Sequence, residues 1–219
     1  PAQAATAMEE LLAAESPFYV TSIGTPGALA TYGRLNQACV PQPFVASSHP
    51  ALGDPVGPPW TTGLQMSYTT EALLWGAWLK QNLADEVPVT VAALVMDNDF
   101  GRIYADAFES WAEANRDVVS SVTVVKHPPG AASVTKEMAE IAAAQPEVFL
   151  AMTAGEACAS AMDESAKFGL TQTTFVRFTP AGCTENVTYM MPAGAGADGV
   201  YAVGPGLVSL NDEAYAGDA

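Results

Sequence analysis

VTVAALVMDNDFGRIYADAFESWAE, residues 89–113, is the stretch that decides the fold. Residues 89–96 are apolar and rich in β-branched types, the length and composition of a strand buried on both faces. Asp97, Asn98 and Asp99 interrupt it with short side chains that cap a helix by accepting its first N–H groups. Beyond them Tyr104, Ala107, Phe108 and Trp111 fall at i, i+3, i+4 and i+7, one face of a helix. In an open parallel sheet such strand–turn–helix units gather at the carboxyl edge, where small ligands bind.

The same alternation runs downstream. Strands are expected at 118–126, 146–153 and 173–179, and helices at 133–144, with Val134, Met138 and Ile141 on one side, and at 156–168. Gly169 stands where a left-handed residue ends a helix. Residues 192–196 read as loop, 199–203 as a short strand, and the last ten residues as polar and unpatterned. Upstream, an amphipathic helix over 2–15 through Met8, Leu11 and Leu12 precedes a strand at 18–23, a helix at 28–38 and a strand at 43–46. The Pro- and Gly-rich residues 50–60 form an ordered loop or a crossing between domains. A short strand at 60–65 leads into a helix from Thr69 whose Leu74, Trp75 and Trp78 share a face. Strands alternating with helices of this length mean βαβ units, an α/β fold with parallel sheet. The chain starts on a helix and stops without a closing element, which is expected of an excerpt from a longer protein.

Composition narrows the function classes. The 219 residues suffice for one sizeable core or two modest ones, and 49% hydrophobic against 15% charged residues argues for a folded chain. A formal net charge of −16 repels nucleic acid and anionic membrane surfaces. No apolar run reaches the roughly 18 residues that span a bilayer. Residues 2–15 lack the charged start and apolar core of a signal peptide.

Few residues suggest chemistry. His49 follows Ser47 and Ser48, which allows a hydrolytic triad, but a turn histidine is the simpler reading; His127 precedes two prolines. Asp97, Asn98 and Asp99 offer oxygen ligands without EF-hand spacing, and helix capping accounts for them. Thr25, Ser47, Ser48 and Thr153 recur at the ends of apolar strands, and hydroxyls beside helix starts suit a carboxylate or another small anion. Simple N-capping explains any one of them; their joint placement favours a ligand cleft. Cys39, Cys158 and Cys183 have no zinc-type spacing. Cys158 and Cys183 follow successive strands, so they form either a disulfide, if those strands are neighbours, or two buried thiols.

Four segments together resemble the type I periplasmic solute-binding proteins, specifically the branched-chain amino-acid (Leu/Ile/Val) receptors of ABC transporters. They are VAALVMDNDFGRIYADAF (91–108), PEVFLAMTAGEACASAMDESAKFG (146–169), VASSHPALGD (45–54) and PWTTGLQMSYTTEA (59–72). The Asp99-Phe100-Gly101 turn and the Lys167-Phe168-Gly169-Leu170 helix end are typical of that family. The likeness covers nearly the whole chain but only about half of such a receptor. It implies two Rossmann-like lobes with parallel sheets that close on a ligand, the first incomplete. Residues 1–65 would belong to the first lobe, 66–202 to the second, and 203–219 to a crossing back. By the resemblance, Gly24-Thr25 and Ser47-Ser48 hold the ligand's carboxylate and ammonium, Phe100 is an aromatic at the mouth, and Thr153-Ala154 is a ligand-facing turn. Where amino-acid receptors place a carboxylate for the ammonium, this chain has Pro180 and Ala181. That departure implies a ligand other than Leu, Ile or Val.

The implied function is therefore an exported solute-binding component of an ABC importer, periplasmic or lipid-anchored, partnered by a permease and a small amino-acid-like or polar molecule, with no cofactor, metal or catalytic group. The alternative is a sensor module of the same fold.

Overall fold

Strand β3 (Val89–Met96) is buried at every position except Thr90. Its side chains divide between two cores, Val91, Ala93 and Val95 on one face and Ala92 and Leu94 on the other. The alternation follows from the two-residue period of a strand, and it requires covering layers on both sides. Residues 1–14 and 19–204 are described by this computed structural model.

β3 is flanked in a five-stranded parallel sheet by β4 (Val119–His127) and β5 (Val148–Met152), followed by β6 (Val176–Phe178) and β7 (Val200–Tyr201), in the order β4-β3-β5-β6-β7. Helices α3 (Tyr68–Asn82) and α4 (Asp99–Ala114) cover one face. There Trp75 stacks on Tyr104 at 5.2 Å and on Phe178 at 5.8 Å, and Leu79 and Phe108 are fully buried. Helices α5 (Thr135–Ala143) and α6 (Glu156–Lys167) cover the other, through Met138, Ile141, Ala157 and Ala161. A second, two-stranded parallel sheet pairs β1 (Gln42–Val45) with β2 (Thr61–Gly63). Against it lie α2 (Thr25–Gln37) and the 3-10 turn Pro50–Gly53, while α1 (Ala2–Ala13) packs on α2. The chain is thus α/β with parallel sheets throughout, as expected.

Several local expectations need correction. Residues 19–23 form no strand, only a bridge from Ile23 to Ala46 with hydrogen bonds to Pro41 and Ala46; Phe18, the expected first residue, lies outside the described residues. The neighbouring edge is irregular because Phe44 takes a positive φ of 53° and the β1–β2 register slips between Gln42 and Val45. Leu74 is exposed, not on the buried face, which is set by Tyr68, Ala72, Trp75 and Leu79, with Trp78 at its margin. Of the first helix's apolar residues only Met8 is buried, and Leu11 is exposed; the expected end at residue 15 falls outside the described residues. Residues 192–196 are not loop but belong to helical turns, Met191–Ala193 and Gly194–Ala197, preceded by a π turn at Asn186–Met190. Glu185 caps this run by accepting from Val187 N–H and Thr188 N–H. Buried Arg177 holds its far end, donating to the carbonyls of Gly196 and Asp198 and to Ser165 Oγ. The tail expected to cross back, residues 203–219, lies mostly outside the described residues, from 205 onward.

Two glycines mark where the chain turns. Gly169 has φ +79° at the end of α6, the left-handed conformation expected there. Gly101, in the first turn of α4, packs on β3 itself: an added Cβ would lie 2.1 Å from Met96 O. That contact is backbone and cannot swing aside. Gly101→Ala is therefore expected to lose about 1–3 kcal/mol of stability, the usual penalty for overpacking. Urea denaturation of the variant checks this; an unchanged midpoint would show that β3 and α4 can separate freely.

Candidate functional site

The carboxyl ends of β3, β5 and β6 open on one edge of the large sheet, and the small sheet's first turn faces them. Between them is a cavity of about 400 Å³. From the small-sheet side come Ile23, Gly24, Thr25, Pro26 and Ala46; from the large-sheet side, α4 included, come Met96, Asn98, Phe100, Tyr104, Ala154, Gly155, Pro180 and Gly182. Gln65 and Tyr68, at the start of α3, and Tyr189, in the π turn, complete its wall. A mainly apolar concavity of this size with a few polar groups is the form that small-molecule sites take.

Of the residues singled out from sequence, Gly24, Thr25, Phe100, Ala154 and Pro180 line this cavity together. Ser47, Ser48 and Thr153 do not; they are buried behind its surface. Ser47 Oγ meets Thr25 Oγ1 at 2.8 Å and accepts from Tyr68 O–H at 3.4 Å, while Thr25 Oγ1 and Tyr68 Oη are 3.3 Å apart. Ser48 contributes its carbonyl, which accepts from Tyr68 N–H at 3.0 Å. Thr153 Oγ1 is 2.9 Å from His127 Nε2. Because His127 Nδ1–H donates to Pro128 O at 3.0 Å, Nε2 accepts from the threonine, and burial lowers the histidine's pKa, keeping it neutral. These hydroxyls brace the cavity wall from behind.

Other candidates separate. His49 Nδ1 accepts from Ala51 N–H, and it is the His49 backbone N–H that donates to Ser47 Oγ, at 3.4 Å. Asn98 caps α4 by accepting from Gly101 N–H, Asp99 pairs with Arg102, and Asp97 lies 3.4 Å from Lys126. Among the described residues no cluster of three or more His, Cys, Asp or Glu side chains could hold a metal ion. The sulfurs of Cys158 and Cys183 are bonded, tying the start of α6 to the turn after β6; Cys39 is exposed and free.

The feature hardest to see from sequence is Glu71. It is 4% exposed, on the buried side of α3, and links two parts of the cavity wall. Its Oε1 accepts from Ala181 N–H at 2.8 Å, beside Pro180, and its Oε2 accepts from Tyr104 O–H. Burial raises the Glu71 pKa, partly offset by these hydrogen bonds. Burial and the adjacent carboxylate push the Tyr104 hydroxyl far above its ordinary range. The only sequence signal for Glu71 was its position one turn before Trp75, on the face that packs inward.

A carboxylate whose pKa rises on folding contributes its full stability below the unfolded carboxylate pKa and loses it as pH rises through the folded value. Gln in its place never ionises, and keeps an acceptor for Ala181 and a donor toward the tyrosine oxygen. The stability of Glu71→Gln relative to the parent is expected to increase as pH rises from about 4 toward 7. Denaturation series on both proteins check this, and a difference independent of pH would refute the assignment.

A sequence profile described as periplasmic binding protein matches residues 1–217. No curated protein matches the sequence. A possible leucine/isoleucine/valine-binding protein from Rhodopirellula baltica SH 1 superposes with TM-score 0.73 at 16% identity, covering 92% of this chain and 53% of that one. An ABC-transporter solute-binding protein from R. palustris in complex with 4-hydroxybenzoate gives 0.72 at 18%, covering 89% and 51%. A fatty acid ABC transporter substrate-binding protein from Thermomonospora curvata gives 0.72 at 15%, covering 92% and 49%. The chain spans about half the length of the solved structures it matches. Its parallel sheets and the profile over nearly its whole length agree: the chain belongs to the periplasmic binding protein family, with the type I fold.

Proposed function

We propose that this chain is part of the solute-binding component of an ABC importer, which captures a small molecule in the cavity between two lobes by hinge closure. The observation that carries the reading is the cavity itself, to which the turn after residue 23 and the carboxyl edge of the large sheet both contribute. Residues 1–65 are assigned to the first lobe and 66–202 to the second, with α3 beginning just past the crossing. Gly24, Thr25, Phe100, Ala154 and Pro180 are assigned to direct contact with the solute. Ser47, Ser48 and Thr153 are assigned to support. A solute-binding protein with this fold in complex with 4-hydroxybenzoate, and another described as a fatty acid ABC transporter substrate-binding protein, favour a solute not restricted to branched-chain amino acids. Export to the periplasm and delivery to a permease follow from the family. Among the described residues no helix is long and apolar enough to cross a membrane.

The test is a thermal-shift screen of the intact protein against amino acids, carboxylates, amides and polyols, followed by small-angle scattering with each hit. A solute that binds only the folded state raises stability by about 2.7 kcal/mol at a hundredfold excess over Kd. Binding is expected to reduce the radius of gyration. Phe100→Ala is expected to cost about 1–3 kcal/mol of affinity, roughly 5- to 150-fold, because the ring supplies the mouth's apolar area. Hits that bind without compaction and ignore Phe100 would overturn the reading.

A further inference from the structure

Two parts of the cavity wall meet at one buried side chain. Glu71 Oε1 accepts from the N–H of Ala181 at 2.8 Å, and Ala181 sits between Pro180 and Gly182, which both line the cavity. Oε2 accepts from Tyr104 O–H, and the Tyr104 ring is the centre of the wall's aromatic side, 5.1 Å from Phe100 and 5.0 Å from Tyr68. Fully buried Trp75 stacks on the same ring at 5.2 Å. These groups come from three separate elements: α3, α4 and the 3-10 turn after β6, Ala181–Cys183. Glu71 itself is not among the residues that line the cavity. On the proposed function, we infer that Glu71 is a positioning residue for solute binding, whose carboxylate fixes the turn at 180–182 against the aromatic wall.

The fold alone does not call for a carboxylate at this place. A buried charge loses its hydration, and an apolar side chain of similar volume often serves a core as well or better. What only a carboxylate supplies is an acceptor on both oxygens. Ionised, Glu71 receives the Ala181 N–H and the Tyr104 O–H together. Protonated, one oxygen becomes a donor, and the Tyr104 or Ala181 donor that faced it loses its acceptor. Gln has the same defect at every pH, with an amide N–H in place of one acceptor. The titratable groups that face Glu71 are Tyr104 from α4 and, packed on it, Tyr68 from α3; Gln65, Met66, Ala181 and Val203 on the remaining sides carry no charge. Burial raises the Glu71 pKa. The ionised form, and with it the fixed wall, is therefore complete above the folded value and lost as pH falls through it. The ionisation that lowers stability is the one that orders the site.

The experiment uses the intact protein, Glu71→Gln, Tyr104→Phe and the double variant. Selectively labelled samples report the Ala181 amide and the Tyr104 and Phe100 rings by NMR as pH is raised from acid to neutral. In the parent the Ala181 and Tyr104 signals are expected to shift together, with one midpoint above the ordinary carboxylate range, and in Glu71→Gln this shared step is expected to disappear. Calorimetry then reads the consequence with L-phenylalanine, 3-phenylpropanoate and 3-phenylpropanamide, three charge types on one aromatic skeleton. For each compound that binds the parent at neutral pH, Glu71→Gln is expected to raise Kd about tenfold, the equivalent of one lost hydrogen bond. The parent's affinity is expected to fall as the medium is acidified, and that of Glu71→Gln to lack this step; the amino acid and the amide keep their own charge over this range. Tyr104→Phe keeps the ring and removes one tie, so the double variant is expected to lose less than the two single losses combined. If Glu71→Gln does not fold, the parent's resonances and the affinity of Tyr104→Phe carry the same test. An Ala181 amide that does not titrate with Tyr104, or a compound bound equally by parent and variants at every pH, overturns the inference and leaves the solute-binding reading intact. If none of the three compounds binds, the resonances alone decide the inference. A solute screen without hits overturns the solute-binding reading instead.

Discussion

Strand β3 has no face toward water, and much of the architecture follows from that constraint. An apolar strand covered on both sides can carry polar groups only at its ends, so every change of chemistry is forced to the sheet edges. At the carboxyl end the chain must leave the sheet and start α4 within a few residues. The close approach of Gly101 to the Met96 carbonyl is what makes so tight an exit fit. The same exit brings Asn98 and Phe100 to the cavity, and β5, paired with β3, and β6, paired with β5, deliver Ala154 and Pro180 to the same edge. The site is a consequence of where buried parallel strands are allowed to stop.

What could be read in the sequence divides along that line. The order of strands and helices in the larger sheet, and the residues at its strand ends, carry local signals: apolar runs, capping residues and the glycine at 169. Of the five named residues that line the cavity, Thr25 carried a local signal, a hydroxyl at the end of an apolar run, whereas Gly24, Phe100, Ala154 and Pro180 were singled out through the family resemblance. The serines at 47 and 48 and Thr153 were legible as strand ends but not as second-layer groups. Their depth depends on contacts such as Thr25 to Ser47, 22 residues apart, and Thr153 to His127, 26 apart. Tyr104 read as an ordinary helix-face residue and Tyr68 and Glu71 only as neighbours of a helix start, because only packing of α3 on α4 turns the two tyrosines toward the cavity and the glutamate behind it. The helical turns between 186 and 197 carry weak local signals, two glycines and a proline. They are held by Arg177, which no periodicity reveals.

Electrostatically the molecule separates its outside from its inside. Asp and Glu outnumber Lys and Arg 24 to 8, and all of the ion pairs among the described residues have at least one partner well exposed. Exposed pairs of this kind are worth about 0–1 kcal/mol each, so they shape solubility more than stability. Buried charge is rationed instead to groups with committed partners, such as Arg177 with a hydroxyl and two carbonyls and Glu71 with a hydroxyl and an N–H. At physiological salt the potential of exposed charges is screened over about 8 Å. The wall is left to hydrogen bonding and apolar contact.

The two sides of the cavity differ in how firmly they are held. The turn at residues 180–183 is tied at two points, the Cys158–Cys183 bond and the Ala181 N–H to Glu71, and the residue before it at a third, the Thr179 N–H to Tyr201 O at 2.9 Å. Each tie leads back into the large sheet or the helices packed on it. The opposite side reaches the large sheet's helices through Tyr68, whose N–H meets Ser48 O and whose hydroxyl meets Thr25 and Ser47. Hydroxyls both donate and accept, so such a triad can exchange partners without leaving a buried group unsatisfied, whereas a disulfide and a buried carboxylate cannot. If the lobes move, as proposed, the motion is expected at the hydroxyl side, with the 180–183 turn serving as the fixed wall against which a solute is pressed.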